Sequence, residues 1–195
     1  VTSGASTLAD HGDLKRLGNN TPRYRVGLNL DASWKGFDFS VFFQGVLKRD
    51  WTFGSDDPYF WGAQGNMWQS TVFEEHMDYW REDNQDAFYP RPMAYGQGQN
   101  GNYTVNDRYL LNMAYMRLKT LTVGYSLPKA WLSKYRIQNL RVYFTGENLF
   151  TIEGVKPAID PEIGIRTSGS SSDARNFGRS YPYQKAISFG LQLSF

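Results

Sequence analysis

The stretch Tyr183-Gln184-Lys185-Ala186-Ile187-Ser188-Phe189-Gly190-Leu191-Gln192-Leu193-Ser194-Phe195 decides the fold. From Ile187 onward every second residue (Ile187, Phe189, Leu191, Leu193, Phe195) is large and apolar, and Ser188, Gly190, Gln192 and Ser194 between them are small or polar. A period of two marks a β-strand with one greasy face. In a soluble protein such a face rests on a core. With an aromatic last residue and a small, polar opposite face, the strand equally suits the closing strand of an outer-membrane β-barrel.

Composition keeps both open. The 195 residues suffice for one domain with a real core. No run approaches the ~18 apolar residues of a transmembrane helix, and nothing at Val1 reads as a signal peptide. A mean hydropathy of −0.55 argues against helical spans only, because each lipid-facing residue of a barrel strand is followed by a polar one. With no cysteine there is no disulfide scaffold or thiolate metal site. A net charge of +2 is too weak to argue for nucleic acid, so no nucleic-acid partner is expected. Aromatics stand out at 16%; membrane-interface girdles and sugar-stacking platforms both use them.

The same alternation recurs upstream. Tyr24, Val26, Leu28, Leu30, Ala32 and Trp34 oppose Arg25, Gly27, Asn29, Asp31 and Ser33; after Lys35-Gly36, Phe37, Phe39, Val41 and Phe43 oppose Asp38, Ser40, Phe42 and Gln44. These arms of about 12 residues exceed the 5–6 typical of globular strands and match a tilted membrane crossing. Leu121, Val123, Tyr125 and Leu127 form the next apolar face, and Leu140, Val142, Phe144, Phe150 and Ile152 another, on which Asn148 is out of place. Arg117 and Lys119 fall on the apolar side of their strand. A 25 Å apolar band ends about ten residues up from Pro128, so these cations either sit at the lipid headgroups or follow a bulge that resets the phase.

The expected layout is therefore strands near 23–34, 37–48, 114–127, 139–152 and 183–195, with connections at 35–36, 49–113, 128–138 and 153–182 and a leading loop over 1–22. The 128–138 connection begins with Pro128 and reads as a single helical turn. Within 49–113, the Thr71 to Glu74 spacing and the recurrence of Phe73, Met77 and Trp80 predict a short helix near Ser70 to Trp80. Connections of two, about sixty, about a dozen and about thirty residues alternate short and long, as in outer-membrane barrels. That pattern makes 1–22, 49–113 and 153–182 extracellular, 35–36 and 128–138 periplasmic, and the C-terminus periplasmic. A soluble, aromatic-rich β-sandwich that binds glycans is the alternative; it needs the greasy faces buried against each other.

Several phrases resemble the C-terminal region of the SusC/RagA family of TonB-linked outer-membrane transporters. They are Met116-Arg117-Leu118-Lys119-Thr120-Leu121-Thr122-Val123-Gly124-Tyr125-Ser126-Leu127-Pro128, Arg141-Val142-Tyr143-Phe144-Thr145-Gly146-Glu147-Asn148-Leu149-Phe150-Thr151, Asp160-Pro161-Glu162 and the final Phe189 to Phe195. Gly36-Phe37-Asp38-Phe39-Ser40 and Trp80 to Arg91, with Asn84, Ala87 and Pro90-Arg91, resemble the family's upstream phrases. The resemblance implies an all-β fold, about the last five strands of a 22-stranded antiparallel transmembrane barrel around a plug, with long extracellular loops carrying a short helix. It also implies a bacterial outer-membrane location, oligosaccharide or peptide cargo, a SusD-like lipoprotein lid, and energy from the TonB complex, contacted through an N-terminal part outside this sequence. Five strands cannot close such a barrel without unpaired edges in lipid.

No catalytic, cofactor or metal site is expected. His11 and His76 read as surface residues, and the carboxylate pairs Asp56/Asp57, Glu74/Glu75 and Asp160/Glu162 lack the spacing of a calcium loop and read as solvated loop charge. The loop residues Trp51, Trp61, Trp68, Phe73, Met77, Trp80 and Tyr89 are candidates for cargo or partner contact, against simple packing among themselves. Arg25, Asn29, Asp31, Gln44, Arg141, Tyr143, Glu147 and Gln192 are the expected lumen-facing set, and Leu28, Leu30, Phe39, Val41, Val123, Val142, Phe144, Phe189, Leu191 and Leu193 the lipid-facing one. Phe195 is the expected assembly signal, as a terminal aromatic is in the proteins it resembles.

Overall fold

The computed structural model describes residues 4–5, 7–53, 57–62, 72–93, 105–155, 159–162 and 181–195. Its framework is one antiparallel sheet of β1 (Arg25–Trp34), β2 (Phe37–Val46), β5 (Tyr115–Ser126), β6 (Asn139–Glu147) and β8 (Ala186–Ser194), in that spatial order. β7 (Thr151–Glu153) continues the line of β6 along β5. Each long strand thus pairs with the next long strand in sequence, the meander of an antiparallel β-barrel wall. β3 (Asp50–Trp51) and β4 (Leu111–Asn112) form a separate two-stranded ribbon. Among the described residues helices are short: α1 (Pro58–Trp61), α2 (Lys129–Leu132) and the 3₁₀ turns Glu74–Met77 and Ser133–Tyr135. Among the described residues no helix is long and apolar enough to cross a membrane.

Register converts the alternation into rows. On the outer face Trp34, Phe37, Tyr125, Val142 and Leu191 align across all five strands, as do Ala32, Phe39, Val123, Phe144 and Phe189. On the inner face the rows are Ser33, Asp38, Gly124, Tyr143 and Gly190, then Asp31, Ser40, Thr122, Thr145 and Ser188. Most outer side chains are open; Phe189 is 81% exposed. Val41 lies on the same outer face, between Leu30 and Leu121 in register, and is 6% exposed. A β-sandwich would cover this outer face with a second sheet, and the described residues provide none.

Lys35 and Gly36 both take positive φ, the I′ pattern that matches strand twist. At this end lie exposed Trp34, Trp131, Tyr135 and Phe195. At the other end β5 bulges: Phe42 pairs with Thr120 but Phe43 with Leu118, so Lys119 is skipped. The bulge resets the phase and turns Arg117 to the inner face, which settles the anomaly of cations on the apolar side. Opposite it, the expected strand over 139–152 breaks into β6 and β7 at Asn148, whose φ is +49° and whose Nδ2 donates to the Gln184 carbonyl.

The long 49–113 connection has its own core of Phe53, Phe60, Trp61, Tyr89, Tyr109, Leu111 and Met113, joined by Ile159. Of the helix expected near Ser70 to Trp80, the part within the described residues holds only the 3₁₀ turn Glu74–Met77. Asp78 ends it: its carboxylate accepts from the Phe88 N–H and Asn84 Nδ2, its carbonyl from the Tyr89 N–H, and the Trp80 N–H donates to the Tyr89 carbonyl. Those bonds hold the backbone extended.

Candidate functional site

The inner face has a built polar surface. Arg141 reaches across β5 to Asp38, Nε to Oδ1 at 2.9 Å, and passes over Gly124, where a Cβ would strike both partners. The Arg141 guanidinium lies 4.8 Å from the Tyr143 ring centroid, and that ring covers Gly190, where a Cβ would strike it. The glycines of the small face thus give room to long side chains on neighbouring strands. Thr122 and Thr145 meet at 3.3 Å, and Asn29 donates to Asp31. Gly124→Val should destabilise the full-length folded barrel by about 1–3 kcal/mol, the usual cost of overpacking, read as a lower urea midpoint. An unchanged midpoint would show that the Asp38–Arg141 bridge does not need this space.

All eight residues expected to face a lumen (Arg25, Asn29, Asp31, Gln44, Arg141, Tyr143, Glu147 and Gln192) share this face by register. Arg141 and Tyr143 meet directly, as do Asn29 and Asp31; Gln192 lies opposite Arg141 in register, and Glu147 opposite Ala186.

At the loop end the bulge positions a second cluster. Buried Arg117 donates through Nε to Thr151, through Nη1 to Glu162 at 2.8 Å and through Nη2 to Asp160 at 2.9 Å; Lys119 Nζ adds a bond to Glu162 at 2.9 Å. Pro161 between the two acids is fully buried. Asp160 also accepts from the Glu162 and Tyr183 N–H groups, and the Tyr183 ring lies 4.2 Å from Lys119 Nζ. Burial pushes the Asp160 carboxyl up, but Arg117 and the two N–H groups outweigh it and hold it below the usual carboxylate range. Asp160 and Glu162 are therefore not solvated loop charge. They tie both ends of the 153–182 connection to the sheet. The signal was present in the sequence as two cations on the wrong side of a strand, but their partners lie more than forty positions away.

The aromatic candidates separate. Trp61 and Tyr89 are interior to the loop core at 3% and 4% exposed, so their rings are used in packing rather than offered to a partner. Trp51 is half-buried against that core. Phe73, Met77 and Trp80 are exposed on the loop surface, while Trp68 lies outside the described residues. His76 is more than a surface residue: Nδ1 accepts from the Phe73 N–H and Nε2 donates to the Phe60 carbonyl, which fixes the Nε2-protonated tautomer and ties the 3₁₀ turn to α1.

A single antiparallel sheet, apolar and open outside, polar inside, with short connections at one end and long ones at the other, defines an outer-membrane β-barrel wall. No family model matches the chain. It is 28% identical over 186 residues to TonB-dependent receptor P3 of Formosa agariphila and 31% identical over 183 residues to TonB-dependent receptor P26 of the same organism, covering 94% and 92% of this chain. It spans only 17% and 18% of those relatives' lengths. Among solved structures it resembles the RagAB peptide importer in its open-open state, with TM-score 0.60 and 27% identity over 90% of this chain and 17% of the other, and the RagAB peptide transporter, with TM-score 0.59 and 26% identity over 90% and 18%. These likenesses support a stretch of a SusC/RagA-type TonB-dependent transporter.

Proposed function

We propose that this chain is one stretch of the wall of an outer-membrane importer that takes in peptides. A SusD-like surface lipoprotein covers its mouth, and TonB energises it through a part of the protein outside this sequence. The observation that carries the proposal is the outer face: two apolar rows run uninterrupted across five strands and stand open. In water that would be an abnormal patch; in lipid it is the required surface. The 35–36 and 128–138 connections and Phe195 lie on the periplasmic side, and 1–22, 49–113 and 153–182 lie outside. Peptide is preferred to oligosaccharide because the structural neighbours are described as peptide importers.

The test uses the full-length protein in cells. Labelled peptides should enter in a TonB-dependent way, and a cysteine at Glu75, exposed on the 49–113 loop, should crosslink to the lipoprotein. Asp78 is a poor choice for the thiol because its carboxylate shapes the loop. Uptake that ignores TonB overturns the importer. Intact uptake without a crosslink from any loop position reduces the loop to a barrel cap.

Phe195 is exposed at the turn end, as are Trp131 and Tyr135, a position that also suits an interface anchor. If it is an assembly signal, deleting it lowers the amount of heat-modifiable folded barrel at the cell surface. An anchor alone leaves that amount unchanged.

A further inference from the structure

On the inner face at the loop end is a cleft of about 650 Å³ whose walls include Arg25, Gln44, Arg49, Tyr115 and Glu162. Arg49 is 7% exposed. Its Nε donates to the Asn20 carbonyl at 2.9 Å, and its guanidinium lies 5.8 Å from the Trp51 ring centroid. Among the described residues no carboxylate comes within ion-pair distance of Arg49 or Arg25. Among the described residues Glu162 is the sole carboxylate in the cleft wall, and Arg117 and Lys119 take both its oxygens. Burial, and then the charge of Arg25, lowers Arg49 to about 10. A guanidinium withdrawn from water beside a second one is expensive unless an anion joins them. The fork of Nη donors left open on Arg49 fits a carboxylate.

We propose that Arg25 and Arg49 form a subsite for a carboxylate of the cargo, the acidic side chain of a peptide held at the mouth of the barrel; this rests on the importer proposed above. An acidic side chain from elsewhere in the full-length protein has the same chemistry, and the experiment separates the two.

Purified full-length protein is titrated calorimetrically with a glutamate-rich peptide and its glutamine counterpart, both amidated at the C-terminus. The wild type should bind the glutamate peptide about tenfold more tightly, a difference of about 1.4 kcal/mol. Arg49→Gln and Arg25→Gln should abolish that ratio and leave the glutamine peptide's affinity in place, while Arg49→Lys should keep part of it. Arg25, exposed on β1, keeps the test standing if Arg49→Gln fails to fold. No preference in the wild type, or an unchanged ratio in the variants, overturns the subsite. Lower thermal stability with an unchanged ratio also overturns it, because the arginines then pair with a carboxylate of the protein itself. Absence of TonB-dependent uptake of either peptide, with the binding ratio intact, removes the importer and leaves the subsite.

Discussion

Replacing Arg117 with methionine in the full-length protein should cost about 3–5 kcal/mol, the penalty for removing one partner of a buried ion pair. The side chains of Arg117, Asp160 and Glu162 are 5%, 9% and 14% exposed, so losing the guanidinium strands two carboxylates with only Lys119 and backbone N–H groups to satisfy them. The loss should appear as rapid hydrogen exchange over 181–184 and a lower unfolding midpoint. The triple variant Arg117→Met, Asp160→Asn, Glu162→Gln should recover much of it, because neutral groups of similar shape need no counter-charge. Equal instability in the single and triple variants would show that packing, not charge, holds the loop. Acid gives an independent check. The folded Asp160 carboxyl lies below its ordinary value, so its stabilisation is fully present above about pH 4 and is lost as pH falls through the folded value.

Arginine at Leu191 should cost about 2–4 kcal/mol, the depth-dependent penalty for a cation on the lipid face of a barrel. Leu191 lies in the apolar row with Trp34, Phe37, Tyr125 and Val142, and it stands about 10 Å up from the turn end at barrel tilt, near mid-membrane. The inner-face control is Ser188→Arg, which lies opposite Thr145. Gln192 is a poorer control because it pairs with Arg141, and two cations directly opposite repel. Equal damage at Leu191 and Ser188 would contradict the assignment of faces; reversible unfolding in lipid vesicles measures both.

The strands were legible because period two is a local property: Phe37 to Gln44 and Ile187 to Phe195 read correctly from neighbours alone. The β5 bulge was half legible, since Arg117 and Lys119 signalled a misfit that only pairing with β2 resolves at Lys119. Two features were not legible. Phe73, Met77 and Trp80 have helical spacing, but Asp78 is held by Phe88, ten residues on, and a non-local bond outbids local periodicity. Asp160 and Glu162 looked solvated because their cations lie 43–45 positions earlier. Nothing in the composition of the aromatic loop separated interior Trp61 and Tyr89 from exposed Trp80.

The β3–β4 ribbon changes the entropy of assembly. β2 and β5 are partners separated by more than sixty residues, and closing a chain of that length costs more than a hairpin does. Asp50 pairs with Asn112 and Trp51 with Leu111, while the Met113 N–H bonds to the Arg49 carbonyl. The loop is thus stapled at its root, with the core of Phe60, Trp61 and Tyr109 packed beyond the staple. Once that knot of aromatics has formed, Val46 and Tyr115 are held as near as the two arms of a tight turn would hold them. The excursion that looks longest in the sequence then behaves, for strand pairing, as a short one.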